Sequence, residues 1–138
     1  MKVLEINVRL PGLNEIVGAG RRNRYGAAKQ KKEFTSLVAT LARGVKIPSH
    51  GEQYSDRIYW LFVWREPNKR RDPDNVAAGA KFILDGLQAA GAMENDGWKQ
   101  VHAITHVFTN DKENPGVTVY CYTDPVAWAG HAAYGGEQ

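Results

Sequence analysis

The chain has 138 residues, 43% hydrophobic and 24% charged, which is the make-up of one ordinary globular domain large enough to bury a core and excludes a wholly disordered chain. The formal net charge of +3 permits a polyanionic partner without demanding one. No apolar run approaches the roughly 20 residues that span a bilayer, the opening Met1-Lys2-Val3-Leu4-Glu5 is not a signal sequence, and the single Cys121 allows no internal disulfide, so a cytoplasmic protein is expected.

Leu4, Ile6, Val8 and Leu10 alternate with polar residues and predict a half-buried strand, ended by Pro11-Gly12. Asn14 is a candidate cap, but Gly18 and Gly20 interrupt the pattern that follows. The first long helix is therefore expected from about Arg24. Phe34, Leu37, Val38 and Leu41 form its apolar stripe, and Gly44 its stop. After a loop over 46–56, the run Ile58 to Trp64 is continuously apolar and aromatic, the pattern of a strand buried on both faces.

Asp74, preceded by Pro73, is placed as the N-cap of a second helix from Asn75 to Ala90. Val76, Ala80, Ile83, Leu84 and Leu87 supply its core stripe and Gly91 its stop. Gly79 and Gly86 share a face and permit close approach of another backbone, from the sheet or from a second copy. Trp98 to Phe108 and Val117 to Tyr122 predict a hairpin around Pro115-Gly116. The predicted order is β-α-β-α-β-β: an α+β (mixed α/β) domain over residues 1–123, with a mixed sheet of about four strands and two main helices. The Ala- and Gly-rich stretch 124–138 is expected to be a flexible tail.

Charge is distributed unevenly. Arg21, Arg22, Arg24, Lys29, Lys31, Lys32, Arg43 and Lys46 face a single acid, Glu33, in their stretch. A second basic block comprises Arg65, Lys69, Arg70 and Arg71, and it leads directly into Asp72-Pro73-Asp74. Such blocks are solvated helix faces or grips for phosphate. In an extended segment, residues two apart face the same way, so Asp72 and Asp74 can point together. Two close carboxylates repel unless a cation lies between them. Oxygen-rich pairs suit Mg²⁺, and neighbouring Lys and Arg are the alternative. Projected on one continuous helix, Asp74, Lys81 and Asp85 fall within a narrow sector. Lys81 is then a group for a phosphate or a plain i,i+4 partner of Asp85. Asp96 follows the helix stop, and a helix of about 16 residues is about 24 Å long, so Asp96 meets Asp74 where the loop folds back along the sheet edge or where a partner chain completes the site, and is otherwise a turn residue. His102 and His106, about 13 Å apart on a strand, are too distant to share a metal.

Arg70-Arg71-Asp72-Pro73-Asp74-Asn75, a helix carrying Lys81 four residues before Asp85, and Asn95-Asp96 before a strand together resemble the RusA family of Holliday-junction resolvases. The motif core runs from about Arg70 to Val101, and the flanking elements fit the family in order. Asn95 stands where the founding members have an acid, and the spacing from Asp74 to Lys81 is longer than theirs.

The resemblance implies a small homodimeric endodeoxyribonuclease of phage or prophage type that depends on Mg²⁺, with Mn²⁺ as a substitute. It implies an acidic triad of Asp72, Asp74 and Asp96 holding the metal, with Lys81 as the fourth catalytic residue. DNA contacts are expected from Arg65, Lys69, Arg70, Arg71, Lys29, Lys31 and Lys32. The substrate it implies is branched, four-way DNA, cut by paired symmetric nicks in recombination and repair. Two other readings stay open: a catalytically inactive junction-binding protein of the same fold, and an interaction domain in which Asp72-Pro73-Asp74 only caps a helix.

Overall fold

A computed structural model describes residues 1–22, 24–47, 57–93 and 100–136. Four strands form one mixed sheet: β1 (Lys2–Ile6), β2 (Tyr59–Glu66), β3 (Ala103–Asn110) and β4 (Gly116–Tyr122), in the order β1-β4-β2-β3. The helices are α1 (Leu13–Arg22), α2 (Arg24–Leu41), α3 (Pro73–Ala77), α4 (Ala80–Ala89) and α5 (Pro125–Ala133). The mixed α+β class expected from the sequence holds, and several of its details do not.

The apolar run after the second loop forms the central strand β2, with Trp60, Leu61 and Phe62 fully buried. Trp60, Phe62 and Trp64 join Val38 and Ala42 of the α2 region and Ile83 and Leu87 of α4 in one core. The expected alternation from Leu4 to Leu10 is cut short. β1 ends at Ile6, whose partner Val117 lies next to the first residue of β4, and Val8 is exposed.

Helix formation begins earlier than the glycine pattern predicts. Gly12, not Asn14, takes the capping position of α1: its carbonyl accepts from Ile16 N–H at 3.1 Å, and its own N–H donates to Glu15 Oε2 at 3.1 Å. The Glu15 carboxylate thus reaches back to the Gly12 N–H, the half of a capping box that a glycine, with no side chain, allows. α1 then runs through Gly18 and Gly20. Val38 on α2 and Ala42 just past its end are buried, while Leu41 is 46% exposed.

The second helix is broken. α3 ends at Ala77, and α4 begins at Ala80 after the turn at Ala78 and Gly79. The two glycines explain the local geometry. A Cβ on Gly79 would lie 3.1 Å from the Trp64 ring, and one on Gly86 would lie 2.4 Å from Val38 Cβ. Both glycines therefore serve close packing within the chain, one onto the sheet and one onto α2.

The predicted hairpin does not form. β3 pairs parallel with β2, and β4 pairs antiparallel with β2 on its other side, so β2 lies between the two strands expected to be neighbours. The short connection 111–115 crosses the end of β2. Asp111 N–H donates to Glu66 O at 2.9 Å, and Asn110 Nδ2 donates to Asn68 O at 3.1 Å.

The expected tail is instead a docked helix over Pro125–Ala133. Asp124 caps it by accepting from Val126 N–H at 2.9 Å, and Pro125 supplies the first helical position. Trp128 Nε1 donates to Trp60 O at 2.9 Å, and buried His131 packs against Tyr120 and accepts from Tyr122 Oη at 2.6 Å. Among the described residues no helix is long and apolar enough to cross a membrane.

Candidate nucleic-acid and metal interface

The basic block and the acid pair emerge at the C-terminal end of β2. Proline sets the geometry there. Asp72 is extended (φ −69°, ψ 153°), as a residue before proline prefers, and Pro73 opens α3. The N-cap is thus Asp72, two residues earlier than expected, and Asp74 lies in the first turn rather than before it. The two acids therefore do not share an extended segment, as expected, but flank the start of one short helix.

Both carboxylates are exposed. The Asp72 side chain makes no cap hydrogen bond, although it occupies the capping position. Asp74 Oδ1 accepts from Asn75 N–H at 2.9 Å. Asn75 is buried, and its Oδ1 accepts from Asn14 N–H at 2.9 Å, which ties α1 to α3 and fixes the base on which the acids stand.

A cleft of about 300 Å³ adjoins Asp72, with Glu66, Lys69, Arg71, Phe108 and Asn110 among its walls. Behind it lies a network of ion pairs. Arg9 Nη2 reaches Glu66 Oε1 at 2.9 Å, Arg71 Nη1 lies 3.8 Å from the same oxygen, and Arg71 Nη2 also donates to Glu15 Oε1. Arg71 Nη1 donates to Leu10 O at 2.9 Å, and the side chain is 13% exposed. Partial burial pushes the Glu15 carboxyl up. Backbone N–H groups and the Arg71 guanidinium outweigh that effect and hold it below the usual carboxylate range.

The expected DNA contacts separate into two groups. Arg65 and Arg71 have their guanidiniums engaged within the fold. Arg65 Nε donates to Asn114 O at 2.9 Å, Nη1 to Thr118 Oγ1 at 2.5 Å, and Nη2 to Ile6 O and Asn7 Oδ1, each at 3.2 Å. Lys69 and Arg70 are exposed at the rim, and Arg70 N–H donates to Asn68 Oδ1 at 2.9 Å to shape their turn. On α2, Lys29, Lys31 and Lys32 are exposed, with Lys29 3.9 Å from Glu33.

Lys81 and Asp72 line different cavities. Lys81 Nζ lies 3.0 Å from Asp85 Oδ1, and Lys31 Nζ lies 4.0 Å from Asp85 Oδ2. These three residues line a shallow cavity between α2 and α4, which shares no wall residue with the cleft beside Asp72. Between Asp74 and Lys81 the helix is interrupted by the turn at Ala78 and Gly79, whose backbones both stay in the right-handed helical region.

Asp96, Asn95 and Trp98 lie outside the described residues, as do the side chains of Arg21, Arg22 and Arg24. Among the described residues no three His, Cys, Asp or Glu side chains gather around one point. Asp72 and Asp74 themselves are exposed hard-oxygen donors, and Mg²⁺ is commonly held by one or two carboxylates with water completing its shell. The donor chemistry of the pair fits that ion.

Three wall or support residues were not singled out in the sequence. Glu66 carries a legible signal: it continues the alternation Trp60, Phe62, Trp64 onto the same face. Phe108 and Glu15 carry none, because their neighbours are distant in sequence. The two histidines also differ. His102 is exposed beside Arg57, whereas His106 is half-buried against Phe62, Trp64 and Phe108. Compared with known proteins, the chain matches no family model, no curated protein and no solved structure.

Proposed function

We propose that this protein is a Mg²⁺-dependent, structure-selective endodeoxyribonuclease that nicks four-way DNA junctions, as the resemblance in its motif residues implies. The observation that carries the reading is Asp72: an exposed carboxylate at a helix start that makes no cap hydrogen bond, beside a second exposed acid and a basic rim. A helix cap alone would use that side chain for capping. Acids beside DNA repel phosphate, and they are useful there when a cation binds them.

In this reading Asp72 and Asp74, completed by Asp96, hold the ion. When bound, the ion lowers the pKa of a coordinated water and neutralises charge on the scissile phosphate. Lys69 and Arg70 hold backbone phosphates at the rim, and Lys29 and Lys32 extend the grip along α2. Arg65 and Arg71 act indirectly, by fixing the end of β2 and the base of α3. The pairing of Lys81 with Asp85, beside Lys31, supports a role in holding backbone that flanks the cut. A two-fold homodimer would present two such sites to a two-fold junction and produce paired nicks.

The test is cleavage of a labelled synthetic junction with Mg²⁺ and with chelator, alongside the Asp74→Asn protein. Symmetric nicks that require both the metal and Asp74 are expected. Tight junction binding with no cleavage under Mg²⁺ or Mn²⁺ would instead establish an inactive junction binder.

A further inference from the structure

Phe108 presents an exposed aromatic ring on this surface. It lies on the edge strand β3, is 40% exposed, and lines the cleft that Asp72 adjoins. Edge strands of soluble proteins are ordinarily guarded by charge, and here an aromatic ring stands beside a polar cleft instead. The ring is also held from within. His106 stacks on it at 6.2 Å between centroids with 25° between planes, and His106 stacks in turn on Trp64 at 6.1 Å and 29°. Trp64 is locked in the core next to Phe62, at 6.0 Å and 14°. The series of near-parallel rings runs from the core outward and ends at Phe108, whose exposed surface is left to the cleft.

We infer that Phe108 is a stacking platform for an unpaired nucleobase entering the cleft beside Asp72. The inference rests on the nuclease reading and adds to it the feature of the substrate that this site would select. A base within a duplex has both faces covered by its neighbours. Only an unstacked base, such as one released at a branch point, has a face to offer an aromatic ring. The surroundings suit a nucleotide rather than a purely apolar ligand. Exposed Lys69 stands at the wall for the backbone phosphate, and Asn68 and Asn110 line the same cleft, the Asn110 amide bonded to Glu66 O and Asn68 O and so fixing the wall's shape. The cleft volume of about 300 Å³ lies at the small end of ligand pockets. Stacking of this kind tolerates any base, so it would confer selectivity for branched structure over sequence.

The experiment uses a four-way junction carrying 2-aminopurine either at the branch point or within one arm, bound in the presence of chelator so that nothing is cut. The wild-type protein should change the fluorescence at the branch and not in the arm. Phe108→Leu keeps apolar bulk without an aromatic face. It should lose the branch signal and bind the junction roughly 10-fold more weakly, with duplex binding unchanged. Phe108→Tyr should retain both properties.

If Phe108→Leu gives the wild-type signal and affinity, the stacking role is refuted, while Mg²⁺-dependent cleavage by the wild-type protein leaves the nuclease reading standing. If the wild-type protein binds no junction, both fall together. Should Phe108→Leu fail to fold, the wild-type comparison still decides: equal signals at branch and arm overturn the inference.

Discussion

The indole N–H of Trp64 donates to Nδ1 of His106 over 3.0 Å. The bond requires an unprotonated Nδ1, so the imidazole is neutral with its proton on Nε2. Burial pushes the His106 pKa below its ordinary 6.5. The native protein therefore takes up this proton at lower pH than the unfolded chain does. Between the two values the unfolded chain binds more protons, so stability rises with rising pH. The contribution is complete above about pH 6.5 and is lost as pH falls through the depressed native value. Thermal denaturation at stepped pH should show a falling Tm below about pH 6.5. His106→Gln should flatten that fall, and an unchanged slope in the variant would refute the assignment.

Two aspartates occupy capping positions, and only one of them caps. Asp124 bonds Val126 N–H, so Asp124→Ala should cost about 1 kcal/mol in urea denaturation. Asp72 makes no such bond, so Asp72→Ala should change stability by less than about 0.5 kcal/mol. On a labelled junction the order reverses: Asp72→Ala should abolish nicking, and Asp124→Ala should leave it intact. A substantial stability loss from Asp72→Ala would return that residue to a purely structural role.

Arg65 and its basic neighbours should divide sharply under substitution. Arg65→Ala removes bonds to Asn114, Thr118, Ile6 and Asn7 and should cost about 2 kcal/mol or more. Lys69→Ala and Arg70→Ala should be nearly neutral in stability. Each should reduce the slope of log affinity against log salt by about 1. Titrations at several salt concentrations, paired with melting curves, separate the two classes. A reduced slope in Arg65→Ala at unchanged Tm would contradict the division.

Lys81 should behave as a binding group. Its partner Asp85 and neighbour Lys31 line a cavity distinct from the cleft at Asp72. Lys81→Ala should raise the junction Kd and lower the salt slope by about 1, with the single-turnover rate of the bound complex within a few-fold of wild type. Stability should shift by only a few tenths of a kcal/mol. A collapse of the single-turnover rate at unchanged Kd would restore Lys81 to the transition state.

The strands were legible because their signal is local. β2 announces itself by seven consecutive apolar and aromatic residues, and Gly44 (φ +83°) and Gly91 (φ +74°) end helices where the pattern predicts. Pro73 fixes Asp72 as extended, as its identity requires, and the cap then falls on Asp72 because a proline is well suited to the first helical position. What was not legible depends on distant partners. Nothing around Pro115-Gly116 reveals that β2 will separate β3 from β4. The turn at Ala78 and Gly79 answers to the Trp64 ring, which lies fourteen residues or more earlier. α5 escaped notice because its Ala- and Gly-rich sequence has little amphipathic contrast, although Asp124-Pro125 carried a helix-start signal. The sorting of Arg65 and Arg71 from Lys69 and Arg70 is likewise a tertiary fact, invisible in a run of like charges.

The strand order also dictates when the sheet can be completed. β1 has β4 as its sole neighbour, and Met1 at its head binds Cys121 both through its ammonium, at 3.0 Å, and through its carbonyl. A chain leaving the ribosome therefore carries its first strand without a partner until Gly116–Tyr122 has emerged. β4 in turn needs β2 already in place, since no local zipping with β3 is open to it. Among the described strands there is no short-range pairing from which to start, which favours slow, non-local folding despite the small size. The exposed apolar β1 segment is where a nascent-chain chaperone would be most needed during synthesis.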